Sequence, residues 1–126
     1  MPTNLVNGLL VSLEQLASEG IQSRMARYRA LALQLRKGLW EAGMPPFTPD
    51  EEMNPVLTAA FSPEGIDSRA IVDYLLKEDN IQISGGLGHL ENRVFRIGHM
   101  SPVISEEDIK KLIDALKAFN RKYNFR

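Results

Sequence analysis

Cysteine is absent from this sequence of 126 residues, so disulfides, iron–sulfur clusters and thiolate zinc sites are excluded. A reducing, cytoplasmic setting is the default expectation for such a chain. An excess of either charge is also lacking, since 15 basic and 16 acidic residues give a formal net charge of -1. That balance predicts neither a nucleic-acid-binding surface nor attachment to an anionic membrane. Long apolar runs are missing too, and no membrane-spanning segment is predicted.

Apolar residues in the first third of the chain recur every three or four positions, which is typical of amphipathic helices. One helix is predicted over residues 5–17 and a longer one over 22–41, with Gly20 ending or bending the chain between them. Gly43 and the prolines that follow it prevent the second helix from continuing.

The segment 44–55 is predicted to be a loop because it holds four prolines and the acidic run Asp50, Glu51 and Glu52. Neighbouring carboxylates can act as an acid–base pair in catalysis. On a proline-rich loop the simpler interpretation is that they are solvated, and no catalytic role is predicted for them.

After Pro55 the periodicity changes from helical to strand-like. Strands are predicted over 56–61, 81–84 and 94–100, a helix over 67–77, and a last helix that begins at Ser105. The order α-α-β-α-β-β-α predicts an α+β fold, in which a small, mainly antiparallel sheet has helices packed on one face. A chain of this length is expected to form one domain around one core.

The run VFRIGHM, residues 94–100, places one arginine inside an apolar strand. Side chains alternate across a strand. The two resulting sets are Phe95, Ile97 and His99 on one face, and Val94, Arg96 and Gly98 on the other. The larger apolar side chains should meet the helices, which sends Arg96 to the uncovered face, where Gly98 leaves room for a ligand. Two interpretations of Arg96 stay open. Its guanidinium group could be exposed to water without a ligand, or it could bind a carboxylate through two parallel hydrogen bonds, for which its planar, forked shape is suited.

Gly85, Gly86 and Gly88 precede this strand and form a low-profile segment that could lie beside the arginine. A dinucleotide-binding loop is not predicted, because no helix is expected to open after the glycines. A turn with positive φ is the ordinary explanation. His89 and His99 lack a third convergent ligand, so no metal site is predicted either.

These motifs, taken in order, resemble a known family. The string Gly85-Gly86-Leu87-Gly88, a short spacer and then Phe95-Arg96-Ile97-Gly98-His99-Met100 resemble the C-terminal signature of the class V pyridoxal-phosphate-dependent aminotransferases, of the alanine–glyoxylate and serine–pyruvate type. The likeness extends over nearly the whole chain through Asn4-Leu5, Glu19-Gly20, Pro63-Glu64-Gly65-Ile66 and Ile83-Ser84-Gly85-Gly86. One position departs from the pattern, since Ser101 stands where the family usually has glycine.

The resemblance implies that residues 1–126 are the single C-terminal small domain of a fold-type-I enzyme, without the large domain that holds pyridoxal phosphate. It implies that Arg96 binds the α-carboxylate of the substrate, with Gly85, Gly86 and Gly98 as candidate lining of the pocket. The implied reaction moves an amino group from a small amino acid, such as alanine or serine, to a 2-oxo acid such as glyoxylate. The parent enzyme is expected to be a homodimer. No lysine is expected to bind the cofactor, because all six lysines are predicted to lie on helix surfaces. They are Lys37, Lys77, Lys110, Lys111, Lys117 and Lys122.

Other interpretations are kept beside this one. The chain could be a stand-alone carboxylate-binding module, or a dimerisation module without catalytic activity. Some members of the family carry an older name as a soluble hydrogenase subunit, but hydrogenase metals need thiolates, which this sequence lacks. The segment alone is expected to be inactive, and apolar surface left bare by the missing domain is expected to promote self-association.

Overall fold

Helices and strands follow one another in the predicted order in the computed structural model, which describes residues 2–123. The helices are α1 (Thr3–Glu19), α2 (Ile21–Glu41), α3 (Ser68–Asp79) and α4 (Glu106–Tyr123), and the strands are β1 (Leu57–Phe61), β2 (Ser84–Gly85) and β3 (Val94–Gly98). Short 3-10 turns lie at Asp50–Glu52 and Gly88–Leu90. Over the described residues, no helix combines the length and the apolar character needed to cross a membrane.

Strand β3 is the centre of the sheet and pairs antiparallel with β1 on one side and with β2 on the other. The register places Ala59 of β1 and Ser84 of β2 directly opposite Arg96. Part of the predicted loop 44–55 also joins the sheet, because Pro46 forms an antiparallel bridge with Ala60 along the outer side of β1. Proline is tolerated at such an edge because its missing N–H is not needed there.

One face of the sheet is covered by helices, as predicted. Helix α2 packs on β1, α3 packs on β2 and β3, and α4 closes against α2 and α3. Their apolar side chains meet Phe95 and Ile97 of β3 in one continuous core, which includes Leu35, Leu39, Leu75, Leu116 and Phe119. The α+β architecture with a small antiparallel sheet is therefore confirmed.

Strand β2 is shorter than predicted and lies later in the chain. The sequence predicts a strand over 81–84, whereas only Ser84–Gly85 pairs with β3. Asn80 ends α3 in the left-handed region with φ 55°, and the amide of Ile81 donates to the carbonyl of Leu75 at 3.0 Å. This helix-ending turn keeps the chain against α3, so it reaches the sheet only at Ser84.

Side chains cap the N-termini of α3 and α4. Asp67 accepts a hydrogen bond from the amide of Arg69 at 2.8 Å at the start of α3. Before α4, the amide of Ser105 donates to Asp108 at 2.9 Å, and the amide of Asp108 donates to the Ser105 hydroxyl at 3.3 Å. Hydrogen bonds from Ser105 lower the pKa of Asp108. This reciprocal arrangement satisfies two amides that the first turn of a helix would otherwise leave unpaired.

Asp50 is not simply solvated, in contrast to the expectation for its loop. Arg36 of α2 is only 4% exposed, and it donates from Nε to Asp50 at 2.5 Å and from Nη2 to the carbonyl of Thr48. A buried guanidinium needs such partners because an unpaired buried charge is costly. Asp50 therefore ties the proline-rich loop to α2, while Glu51 and Glu52 are exposed as predicted.

Helix α1 has no buried side chain among its 17 residues. The apolar face predicted from the sequence is present, but it faces solvent through Leu5, Val6, Leu9, Leu10 and Leu13. The opposite side of α1, with Val11, Glu14, Gln15 and Ser18, lines a groove with Pro102 and Val103. Helix α1 thus turns its more polar side toward the rest of the chain and its apolar side away from it.

Gly20 sets the angle between α1 and α2 through a φ of 85°, which favours glycine. Glu19 fixes the bend by accepting hydrogen bonds from Arg24 at 2.6 Å and Arg27 at 2.8 Å. These two guanidinium groups, Arg27 above all, lower the pKa of the Glu19 carboxyl. The bend predicted at Gly20 is therefore confirmed.

Candidate functional site

Arg96 lies on the face of the sheet opposite the helices, as its position in the strand predicts. Its neighbours Phe95 and Ile97 are 0% and 3% exposed in the core, whereas Arg96 is half-buried and Gly98 is exposed. A Cβ atom built on Gly98 would meet nothing within 4 Å, so the space expected beside the arginine exists.

Val94 differs from the expectation that its face of β3 is uncovered. It shares the face of Arg96 but is only 3% exposed. Its partner across the sheet is Phe61, whose ring lies 5.3 Å from that of Phe47. The face is therefore closed at the Val94 end and open at the Gly98 end, which the alternation of residues alone does not reveal.

The guanidinium of Arg96 has a neutral partner. Its Nε donates to the carbonyl of Gly85 at 2.8 Å. Four arginines in residues 2–123 are at least partly buried, and the other three, Arg24, Arg27 and Arg36, each pair with a carboxylate. Neither Nη nitrogen of Arg96 has a hydrogen-bond partner within the described chain, so the outer edge of the fork is available to an anion.

Small side chains flank Arg96 on both neighbouring strands. Ala59 and Ser84 stand directly opposite it, and Ser84 is exposed. Sequence reasoning does not identify these two positions, because the register of a two-residue strand leaves no periodic signal. The predicted lining residues Gly85 and Gly86 follow Ser84 and are half-buried.

The glycine segment forms a turn, as predicted, and not a phosphate-binding loop. Gly88 has a φ of 56°, in the left-handed region that favours glycine. The turn that it opens, Gly88–Leu90, has three residues, and β3 begins four residues after Leu90 with no helix between them. So short a turn does not present the aligned amides of a helix N-terminus to a phosphate group.

The two histidines do not form a metal site in the described part of the chain. No group of three or more potential ligands converges within residues 2–123. His99 is fully buried, with Nε2 at 2.9 Å from the hydroxyl of Thr58, whereas His89 is exposed. His99 is therefore a core residue that joins β1 to the end of β3.

Acidification is expected to destabilise the fold through His99. Burial lowers the pKa of His99 below its ordinary 6.5. Between the two values the unfolded chain binds more protons than the folded one. The free energy of unfolding should therefore fall by up to about 1.4 kcal/mol per pH unit as the pH drops below 6.5, until the folded-state pKa is passed.

Urea unfolding between about pH 7.5 and about pH 5.5 measures this slope in a window above the titration of ordinary carboxylates. His99→Asn should remove the slope whatever it does to absolute stability. His89→Asn, at the exposed imidazole, should retain it. An unchanged slope in the His99 variant would show that another group is responsible.

The described residues do not fit pyridoxal phosphate on their own. A covalently held cofactor of this kind needs a lysine in a pocket. All six lysines lie in helices α2, α3 and α4, and Lys117 is paired with Glu41 at 2.7 Å. The open face of the sheet, which carries Arg96, therefore offers a place for an anion but no lysine for a cofactor.

Solved structures and curated proteins with similar sequences define the class. The alanine–glyoxylate aminotransferase of Nostoc sp. matches with a TM-score of 0.88 and 33% identity, over 93% of this chain and 31% of its own. The alanine–glyoxylate aminotransferase of Mus musculus is 35% identical over 92% of this chain and 28% of its own length. The small subunit of a soluble hydrogenase from Synechococcus sp. is 30% identical over 93% of this chain and 30% of its own length. No family model matches the chain.

The fold is therefore that of one part of an aminotransferase. More narrowly, the chain is similar to alanine–glyoxylate aminotransferases, the type that its motifs predicted. It spans only 28% to 31% of the length of the relatives named above.

Proposed function

We propose that residues 1–126 are the C-terminal small domain of a pyridoxal-phosphate-dependent aminotransferase whose large domain lies outside this segment. The parent enzyme would be a cytoplasmic homodimer that moves an amino group from alanine or serine to a 2-oxo acid such as glyoxylate. Similarity to 28% to 31% of the length of longer aminotransferases supports this proposal. The segment alone would lack transaminase activity, because it offers no lysine for the cofactor.

Arg96 would bind the carboxylate of the substrate. The observation that carries this role is that Arg96, unlike the other partly buried arginines of residues 2–123, has no carboxylate of its own. Two parallel hydrogen bonds from the Nη nitrogens would fix both position and rotation of a carboxylate. Pyridoxal phosphate, when bound in such an enzyme, supplies the electron sink. The contribution of this chain is to hold the substrate at one end so that the reacting carbon is correctly placed.

A second function is favoured by one observation, the bare apolar face of α1. A stand-alone dimerisation module would use this face to bind a second copy, without a substrate. In the aminotransferase proposal the same face is covered by the large domain. The gene distinguishes the two: a reading frame that encodes a large α/β domain upstream of Met1 supports the enzyme, and a natural protein without one supports the module.

Acetate is expected to bind weakly at Arg96 in the 126-residue chain, since half of the pocket is missing. An isolated, partly exposed ion pair contributes about 1 kcal/mol or less, so half-saturation should require about 200 mM acetate or more. Chemical shifts in ¹⁵N NMR spectra should move at the Arg96 side chain and at the amides of Ser84 and Gly98. Arg96→Gln should abolish these shifts.

Arg93→Gln is the matched control, because it removes the same charge from an exposed arginine three residues away. It should leave the titration unchanged. Shifts that persist in the Arg96 variant, or that vanish equally in the Arg93 variant, would show that acetate responds to general surface charge and would contradict a site at Arg96.

A further inference from the structure

The guanidinium of Arg96 is oriented through one of its nitrogens only. Nε donates to the carbonyl of Gly85 at 2.8 Å, and the two Nη groups have no partner within residues 2–123. A carbonyl is a neutral acceptor, so it directs the fork without neutralising its charge. A carboxylate in the same place would compete with an anionic ligand, whereas this contact leaves the cation free.

The Gly85 carbonyl needs support, because it belongs to a two-residue strand at the edge of the sheet. That support comes from the turn that follows. The turn is closed by hydrogen bonds from the amide of Leu90 to the carbonyl of Leu87 and from the amide of Glu91 to the carbonyl of Gly88, both 3.1 Å long. The Ser68 hydroxyl of α3 donates to the carbonyl of Glu91 at 2.8 Å and holds the turn from outside.

Gly86 is the point at which this turn packs most closely on the strand. A Cβ atom built there would lie 2.2 Å from the carbonyl oxygen of Leu90 and 3.0 Å from that of Val94. Both are backbone atoms, so no side-chain rotation relieves the overlap. By contrast, a Cβ atom at Gly85 would meet its nearest atom, the Glu91 oxygen, at an ordinary 3.9 Å.

We propose that Gly86 is a positioning residue for Arg96: its missing side chain lets the turn pack on β3, which fixes the Gly85 carbonyl and so aims the guanidinium at its ligand. The inference rests on the proposed role of Arg96 and deepens it. In this role Gly86 acts on the ligand through Arg96. Any side chain at position 86 must displace the backbone between β2 and β3, and the hydrogen bond at Nε moves with it.

Gly86→Ala tests this inference in the 126-residue chain through the Arg96 Nε–H signal in ¹⁵N NMR. Loss of the hydrogen bond should speed exchange of this proton with water about five- to tenfold. The affinity for acetate should fall by a similar or smaller factor. Ser68→Ala removes the outer support of the turn without introducing a clash, and it should change both readouts in the same direction to a smaller extent.

Gly8→Ala is the control, because it makes the same chemical change in α1 where a Cβ atom would meet nothing within 4 Å. It should leave both readouts unchanged. If Gly86→Ala and Ser68→Ala fold and neither alters Nε–H exchange, the positioning role is overturned even though acetate still binds the wild-type chain. If the wild-type chain binds no acetate at Arg96, the proposed function fails, and the exchange rates alone still decide whether Gly86 orients the side chain.

Discussion

Replacing Gly38 with valine is expected to destabilise the folded chain by about 2–3 kcal/mol, because α2 and α4 are in contact at this residue. A Cβ atom built on Gly38 would lie 2.2, 2.5 and 2.9 Å from the Cδ1, Cγ1 and Cγ2 atoms of Ile113. Ile113 is branched at Cβ, so rotation of its side chain moves one group away only by bringing another close. The two helices would have to move apart. Both contribute side chains to the core, so this movement would loosen its packing.

Urea unfolding followed by circular dichroism measures the loss, and two further variants define its cause. Gly8→Val makes the same change in α1, where a Cβ atom would meet nothing within 4 Å, and it should change the free energy of unfolding little. Adding Ile113→Ala to the Gly38 variant should restore part of the stability, so that the double variant loses at least about 1 kcal/mol less than the sum of the two single changes. Strict additivity would contradict the proposed contact.

Gly38 illustrates what the sequence does not reveal about the fold. Periodicity predicts α2 correctly within one residue at its start, but a glycine inside a helix has the same pattern whether it is exposed or packed against a neighbour. Its role depends on Ile113, which lies 75 positions further along the chain. Asp50 is a similar case, since its charge predicts solvation and only the loop geometry brings it to the buried Arg36.

The candidate site was predictable to the extent that it depends on alternation along one strand. Phe95 and Ile97 are apolar and large, so the helices had to lie on their side, and Arg96 had to lie on the other. The partners of Arg96 were not predictable in the same way. Gly85, Ser84 and Ala59 reach it through strand register. For Ser84 and Gly85 this register depends on the turn at Asn80, which keeps the chain on α3 for three residues longer than the apolar pattern suggests.

The exposed apolar face of α1 is expected to make the chain associate with itself. Its apolar residues recur at helical spacing and include Leu9 and Leu13, which are 59% and 53% exposed. Only two residues of α1 are charged, and one of them, Glu19, is held by Arg24 and Arg27 at the end of the helix. Apolar surface of this extent, with little charge to oppose contact, promotes association. The 126-residue chain should therefore dimerise reversibly at high concentration.

The double change Leu9→Glu and Leu13→Glu is expected to weaken this association at least about a hundredfold, since each leucine buried at an interface contributes about 1.5–3 kcal/mol. Sedimentation equilibrium over a range of concentrations measures the effect. The free energy of unfolding of the monomer should change by less than about 0.5 kcal/mol, because neither side chain is buried in the chain itself. Leu76→Glu, at a residue of α3 that is 49% exposed, is the control and should not alter association.

The strength of the dimer separates the two proposed functions. A single helix of 17 residues is only about 25 Å long, so a pair of such helices buries less than the roughly 800 Å² per partner of a stable complex. Weak association, on the order of 100 μM or above, is therefore what a face made for a larger partner domain should show. A tight dimer that the two glutamates disrupt would favour the dimerisation module instead. A wild-type chain that is monomeric at every concentration would show that α1 is no docking surface.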